Sequence, residues 1–173
     1  KHNTTPVPQQ IRILKDICNH IKDETKSSGS NIYWSVENNT IGESALLVIN
    51  DFGEENIPGM FVSEPIRKGH IRKFRKGFNT THRTKISACA RLKSMIEKGK
   101  LKINSKPLIT ELKAFVASGS SYKAKTGEHD DLVSAMLLAM RIVTVLKDWD
   151  PKIYTSFSQA DEDTADRVYP LPL

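Results

Sequence analysis

Between residues 132 and 146 the chain is apolar except for Ser134, Arg141 and Thr144. No other stretch constrains the fold as strongly. A helix of that length falls short of the roughly 30 Å of hydrocarbon in a bilayer, so it is not a membrane span. A helix that is apolar nearly all round has to be covered by the rest of its own domain. The sequence therefore predicts a central buried helix over residues 130–147. With 173 residues, 38% of them hydrophobic, the chain can build one domain with a sizeable core, expected over residues 1–150. Beyond it, residues 151–173 turn acidic (Asp161, Glu162, Asp163, Asp166) and read as a loosely ordered or docked tail.

Upstream, strand-like and helix-like segments alternate. Ile11, Leu14, Ile17 and Ile21, with Cys18, recur at helical spacing after Pro6 and Pro8. Residues 31–36 form an aromatic and β-branched run typical of a buried strand. Thr40 and Glu43 then have the spacing of a capping box ahead of the apolar run 45–49, which predicts a second helix. A short strand near 60–63 follows, then a basic hairpin or long loop over 65–85. Next come a helix capped by Thr84 and closed by Gly99, a short strand at 101–103 and a helix from Ser105 to about 118 with Phe115 and Val116 inward. An edge strand at 122–124 precedes the central helix. Strands alternating with helices indicate an α/β sandwich.

Charge and cysteine content narrow the chemistry. A net charge of +6 and a pI near 9.3 favour a polyanionic partner. Cys18 and Cys89 stand far apart and outside any Cys-x-x-Cys or Cys/His cluster, which excludes a disulfide framework and a zinc site. That usage fits a reducing compartment. A first residue of Lys1 in place of Met reads as a processed fragment, and no signal peptide is visible.

Two groups of acids carry the candidate chemistry. Glu37 stands where a buried strand ends and a helix begins, and open α/β sheets place functional groups at the carboxyl ends of their strands. A purely local reading, in which Glu37 is stabilised by the next helix's dipole, is equally open from position alone. The second group is GEHDDLVS, residues 127–134, at the start of the most buried helix. Helical facing separates its two aspartates. Asp130 shares a row with Ser134 and Arg141, whereas Asp131 aligns with Ala135, Leu138 and Ile142 and is expected to point inward. A carboxylate aimed into packing has to be paired or bind a metal, which makes Asp131 the stronger ligand and Asp130 a supporting one. Gathered carboxylates repel one another unless a divalent cation neutralises them, and hard oxygen donors select Mg2+ or Mn2+. Two such ions about 3.5 to 4 Å apart hydrolyse phosphodiesters.

At these residues the chain resembles the nuclease domain of the large terminase subunit of myovirus-type tailed bacteriophages. The likeness covers nearly the whole chain, through HNTT (2–5), IYWSVENNTIG (32–42), RTK (83–85), residues 92–101 and GEHDDLVS (127–134). It implies an RNase H-like, resolvase-type fold and an endonuclease that cuts concatemeric double-stranded DNA at the start and end of capsid filling. Its expected partners are an ATPase domain, the portal and the small terminase subunit, in the host cytoplasm at the procapsid portal. Glu37 matches the family's second acidic ligand and Asp131 its third. The first, an aspartate on a strand upstream of everything present here, has no match. The resemblance therefore implies a domain lacking its first strands, with an incomplete metal pair, that binds DNA better than it cuts it. The phosphate-binding loop of the packaging ATPase is also absent.

Residues 65–85 hold eight cations (Arg67, Lys68, Arg72, Lys73, Arg75, Lys76, Arg83 and Lys85) and no acid. This density points to sequence-independent phosphate contacts. His129 is a secondary candidate to orient the attacking water, against the commoner role of a histidine at a helix start. Asn38 and Asn39 are expected to satisfy backbone groups at the strand-to-helix turn. The competing readings are a non-catalytic DNA-binding module, with the acids as helix caps, and a portal-docking module.

Overall fold

The computed structural model describes residues 4–26, 29, 31–68 and 71–149, with backbone only for residues 40, 66–68, 71–75 and 148–149. The acidic tail expected over 151–173 lies outside the described residues. The chain forms two compact units, Lys1–Thr81 and His82–Leu173.

In the first unit, helix α1 (Val7–Thr25) follows Pro6, and Pro8 lies in the first turn, where a missing N–H breaks no helical bond. Ile11 and Cys18, with Leu14 beside them, pack in one core with Ile49, Ala45, Val48 and Phe52 of α2 (Thr40–Phe52). The expected apolar stripe is narrower than its spacing implied. Ile17 and Ile21 are exposed, because α2 covers the row through Ile11, Leu14 and Cys18 and the helix turns the other isoleucines to solvent.

Strand β1 (Tyr33–Trp34) pairs in parallel with β2 (Met60–Phe61), and α2 forms the crossover between them. The Met60 N–H donates to the Ile32 carbonyl at 2.7 Å and the Val62 N–H to Trp34 at 2.9 Å. Both strands are shorter than the runs, 31–36 and 60–63, that predicted them. Trp34 meets Phe61 edge-on, with ring centroids 4.9 Å apart, over Ile32 and Ile57. Of the two expectations for the basic segment, the hairpin is observed: β3 (Glu64–Lys68) lies antiparallel to β4 (Ile71–Arg75). The segment's last residues are helical instead.

In the second unit, α3 (His82–Glu97) starts two residues before Thr84, the expected cap, so Arg83 and Lys85 lie on a helix. Gly99, at φ +69°, closes that helix as expected. Residues 101–103 join no strand; Leu101 and Ile103 instead pack against the core that contains Leu92 and Leu108. Helix α4 (Lys106–Ala114) is capped by Ser105, whose Oγ accepts the Leu108 N–H. It stops before Phe115, earlier than expected. Phe115 and Val116, aromatic and β-branched, enter strand β5 (Phe115–Ser118), which pairs antiparallel with β6 (Ser121–Ala124). Gly119, at φ +59°, opens the two-residue turn between them. Helix α5 (Asp131–Trp149) supplies Val133, Leu137 and Met140 to a core with Ala88, Leu92 and Leu108, as its composition predicted. The architecture is mixed α/β. Among the described residues, no helix is long and apolar enough to cross a membrane.

Candidate functional site

Glu37 leaves β1 as an extended residue and forms a parallel bridge with Phe78. The Asn38 N–H donates to the Phe78 carbonyl at 2.7 Å, and the Phe78 N–H donates to Val36 at 3.0 Å. Phe78 is 1% exposed, so this bridge ties the backbone at Glu37 to a fully packed side chain. Glu37 itself is half-buried.

Asn39 works in two directions at once. Its Oδ1 accepts the Gly42 N–H at 2.9 Å and caps α2, while its Nδ2 donates to Glu37 Oε2 at 3.1 Å. The cap is thus Asn39 and not Thr40, because Asn39 is the last extended residue and Thr40 is already helical. Asn38 Nδ2 donates to the Lys76 carbonyl at 3.0 Å, the backbone-satisfying role expected of it. Gly42 is required by contact: a Cβ there would stand 1.6 Å from the Glu37 carbonyl oxygen. The first turn of α2 thus rests directly on the Glu37 backbone.

In the second unit, Asp130 is the last residue before α5, and its carbonyl accepts the Ser134 N–H at 2.8 Å. Its carboxylate lies 4.0 Å from Lys85 Nζ, and the Lys85 ammonium stands 5.5 Å from the centroid of the Phe115 ring. Asp131 opens the helix and is exposed, as is His129. The inward facing expected of Asp131 is not observed. The buried row of α5 runs through Val133, Leu137 and Met140, while Ala135, on the Asp131 row, is exposed. Of the two aspartates, Asp130 is the more covered.

The amides that follow these aspartates have a partner from elsewhere in the unit. Glu111 of α4 accepts the N–H groups of Leu132 at 2.8 Å and Val133 at 3.2 Å through one carboxylate oxygen. At the other end of the same unit's hairpin, a ring nitrogen of His82 hydrogen-bonds the Ser120 carbonyl and ties the start of α3 to the β5–β6 turn.

The cations are divided between the units. Arg67, Lys68, Arg72, Lys73 and Arg75 occupy the hairpin strands, with side chains outside the described ones, and Lys76 follows them, its Nζ 3.7 Å from Glu54. Arg83 and Lys85 begin the second unit on α3. Among the described residues, no three His, Cys, Asp or Glu side chains gather into a metal-holding group. The candidate ligands themselves fall in both units, Glu37 in one and Asp130 and Asp131 in the other.

A family model described as the terminase RNaseH-like domain matches residues 8–141, a span that includes Glu37, the hairpin and the start of α5. The chain belongs to the terminase RNaseH-like domain family. It is a nuclease-type module of a terminase, and its family sets DNA and the packaging motor as its general partners. Three features of this terminase domain escaped the sequence reading: the Asn39 bond to Glu37, the contact of Gly42 with the Glu37 backbone, and Glu111. The spacing of Asn39 and Gly42 carried a signal, since Asn followed three residues later by a helical N–H donor is the geometry of a cap. Glu111 carried none, because its partners lie about twenty residues away in sequence.

Proposed function

We propose that this terminase domain is a divalent-metal-dependent endonuclease that cuts concatemeric double-stranded viral DNA at the start and end of capsid filling. One observation carries the reading: Glu37, half-buried at the outlet of a parallel strand, has its carboxylate steadied by Asn39 in a domain of a nuclease-type family. An acid kept only to cap the next helix would do the work that Asn39 does. Glu37 is left available for chemistry.

The donor set fits a hard cation. Glu37, Asp131 and, in support, Asp130 offer carboxylate oxygens, whereas Cys18 is buried in the first core, so Mg2+ or Mn2+ suits these residues better than zinc. Glu37 in the first unit and Asp131 in the second are each offered as a carboxylate ligand, and a divalent metal when bound supplies water activation and charge neutralisation at a phosphodiester. The chain's own residues prepare the rest. Asn39 keeps the Glu37 carboxylate in one orientation, and Lys85 balances the charge of Asp130. His129, exposed beside the pair, serves as a secondary contact to water or phosphate.

The β3–β4 hairpin is the proposed DNA cradle. Its strands carry Arg67, Lys68, Arg72, Lys73 and Arg75, and Lys76 follows them, a density of cations that favours a polyanionic partner. Phosphate contacts of this kind are independent of sequence. Arg83 and Lys85, on α3 of the second unit, are separate candidates for phosphate contact. The setting would be the procapsid portal in the host cytoplasm, beside an ATPase domain and the small terminase subunit.

The test is nicking of supercoiled plasmid by the full-length protein with Mn2+ or Mg2+. Glu37→Gln and Asp131→Asn are each expected to abolish metal-dependent cutting while leaving DNA binding in place. Undiminished cutting by both variants would overturn the reading.

A further inference from the structure

Asp130 stands at the position where an aspartate ordinarily turns its carboxylate back onto the second and third amides of the helix it begins. In this chain those amides, Leu132 and Val133, are taken by Glu111, which reaches them from α4 at 2.8 and 3.2 Å. The Asp130 carboxylate is directed to Lys85 instead. We propose that Glu111 is a positioning residue for the nuclease reaction: by capping α5 from outside, it releases the Asp130 and Asp131 carboxylates from local hydrogen bonding and fixes the backbone that carries them. The inference rests on the assignment of Asp131 and Asp130 as metal ligands.

The chemistry of the contact supports a role beyond holding the fold. A half-buried carboxylate accepting two backbone N–H groups is a charge-assisted arrangement, and it orients the helix end as well as satisfying it. Capping alone did not need Glu111, since Asp130 is itself one of the best capping residues. What an outside cap adds is the freedom of the inside one. When Glu111 is removed, Asp130 can turn back onto the Leu132 and Val133 amides. Helix stability is then largely rescued, and the carboxylate is withdrawn from the site.

Glu111→Ala and Glu111→Gln are compared with the wild type in the full-length protein. The readouts are Mn2+ binding by calorimetry, plasmid nicking resolved into kcat and KM, urea unfolding, and amide exchange at Leu132 and Val133. Glu111→Ala is expected to weaken Mn2+ binding and lower kcat by about tenfold or more, the usual scale for a group that orients a metal ligand. The KM for DNA should not change. Unfolding should shift little in Glu111→Ala and much more when it is combined with Asp130→Ala, which removes the replacement cap. Glu111→Gln keeps an acceptor oxygen and is expected to recover most of both losses. Wild-type metal affinity and kcat in Glu111→Ala would overturn the proposal, as would Glu111→Gln failing as badly as Glu111→Ala, since charge rather than capping would then be at work. A wild type that shows no Mn2+-dependent nicking would instead overturn the nuclease reading. In that case, amide exchange at Leu132 and Val133 still reports whether Glu111 caps α5.

Discussion

Lys85 reaches from the first turn of α3 to the carboxylate of Asp130, 4.0 Å away, with side chains 23% and 31% exposed. The pair is neither fully solvated nor sealed, so its contribution is set by partial screening, on the scale of about 0 to 1 kcal/mol. Lys85→Met should lower the urea unfolding free energy by about 1 kcal/mol or less, and the difference should shrink at high salt. A loss of about 3 kcal/mol would instead mark a desolvated pair.

Gly42 is expected to tolerate no side chain. A Cβ at 1.6 Å from the Glu37 carbonyl oxygen cannot be relieved by a rotamer change, because both atoms belong to backbone-fixed positions. Gly42→Ala should therefore cost about 2 kcal/mol or more in chemical unfolding, and the displaced Glu37 should reduce nicking as well. Unchanged stability would show that the α2 turn does not rest on Glu37.

Asn39 allows its two roles to be separated. Asn39→Ala loses the cap and the bond to Glu37 together, and should cost about 1 kcal/mol in stability along with activity. Asn39→Asp keeps an oxygen for the Gly42 N–H but sets a second carboxylate beside Glu37. Its unfolding midpoint should stay close to wild type while nicking falls. Full activity in Asn39→Asp would mean that the Asn39 bond does not orient Glu37.

Neutralising Arg72, Lys73, Arg75 and Lys76 together should weaken binding to random duplex DNA and flatten its dependence on salt. If each contacts a phosphate, the slope of log K against log salt drops by about 0.9 per residue. Titrations by anisotropy at several salt concentrations measure it. An unchanged slope would remove the hairpin from the DNA interface.

Both thiols should be unreactive at neutral pH. Burial pushes the Cys18 thiol up, and burial also raises Cys89, partly offset by the nearby Lys85 charge and a backbone hydrogen bond. A raised value means that the folded state holds the proton more tightly than the unfolded chain. Each thiol's contribution to stability is therefore fully present below the ordinary thiol pKa and is lost as pH rises through the raised one. Labelling by a thiol reagent near pH 7 should be slow for the native protein and rapid in denaturant, with Cys18 the slower of the two. Rapid native labelling of Cys18 would contradict its burial.

Much of the architecture was legible because it is written in local patterns. The central helix follows from its apolar composition and the α4 cap from Ser105 ahead of Pro107, while the basic segment's lack of helical period left a hairpin and a long loop equally open. Local patterns failed where a partner decides the outcome. Phe115 and Val116 continue the helical spacing of α4, yet the Gly119 turn brings β6 back to pair with them, and a strand wins. Ile17 and Ile21 keep the period of α1, but the packing of α2 selects which side of that helix is dry.

The same division runs through the candidate site. The sequence alone determined which residue types stand where: acids at a strand end and at a helix start, a cationic segment between them, and a motif order that resembles a terminase nuclease domain, all properties of residue type and spacing. Only the tertiary structure decided how those acids are held. Asn39 turns to Glu37, Asp130 faces Lys85, Asp131 is exposed, and Glu111 caps α5 across about twenty residues of chain. Helical periodicity can say which residues share a face. Which face is buried, and which distant side chain meets a helix end, depends on the elements packed against it.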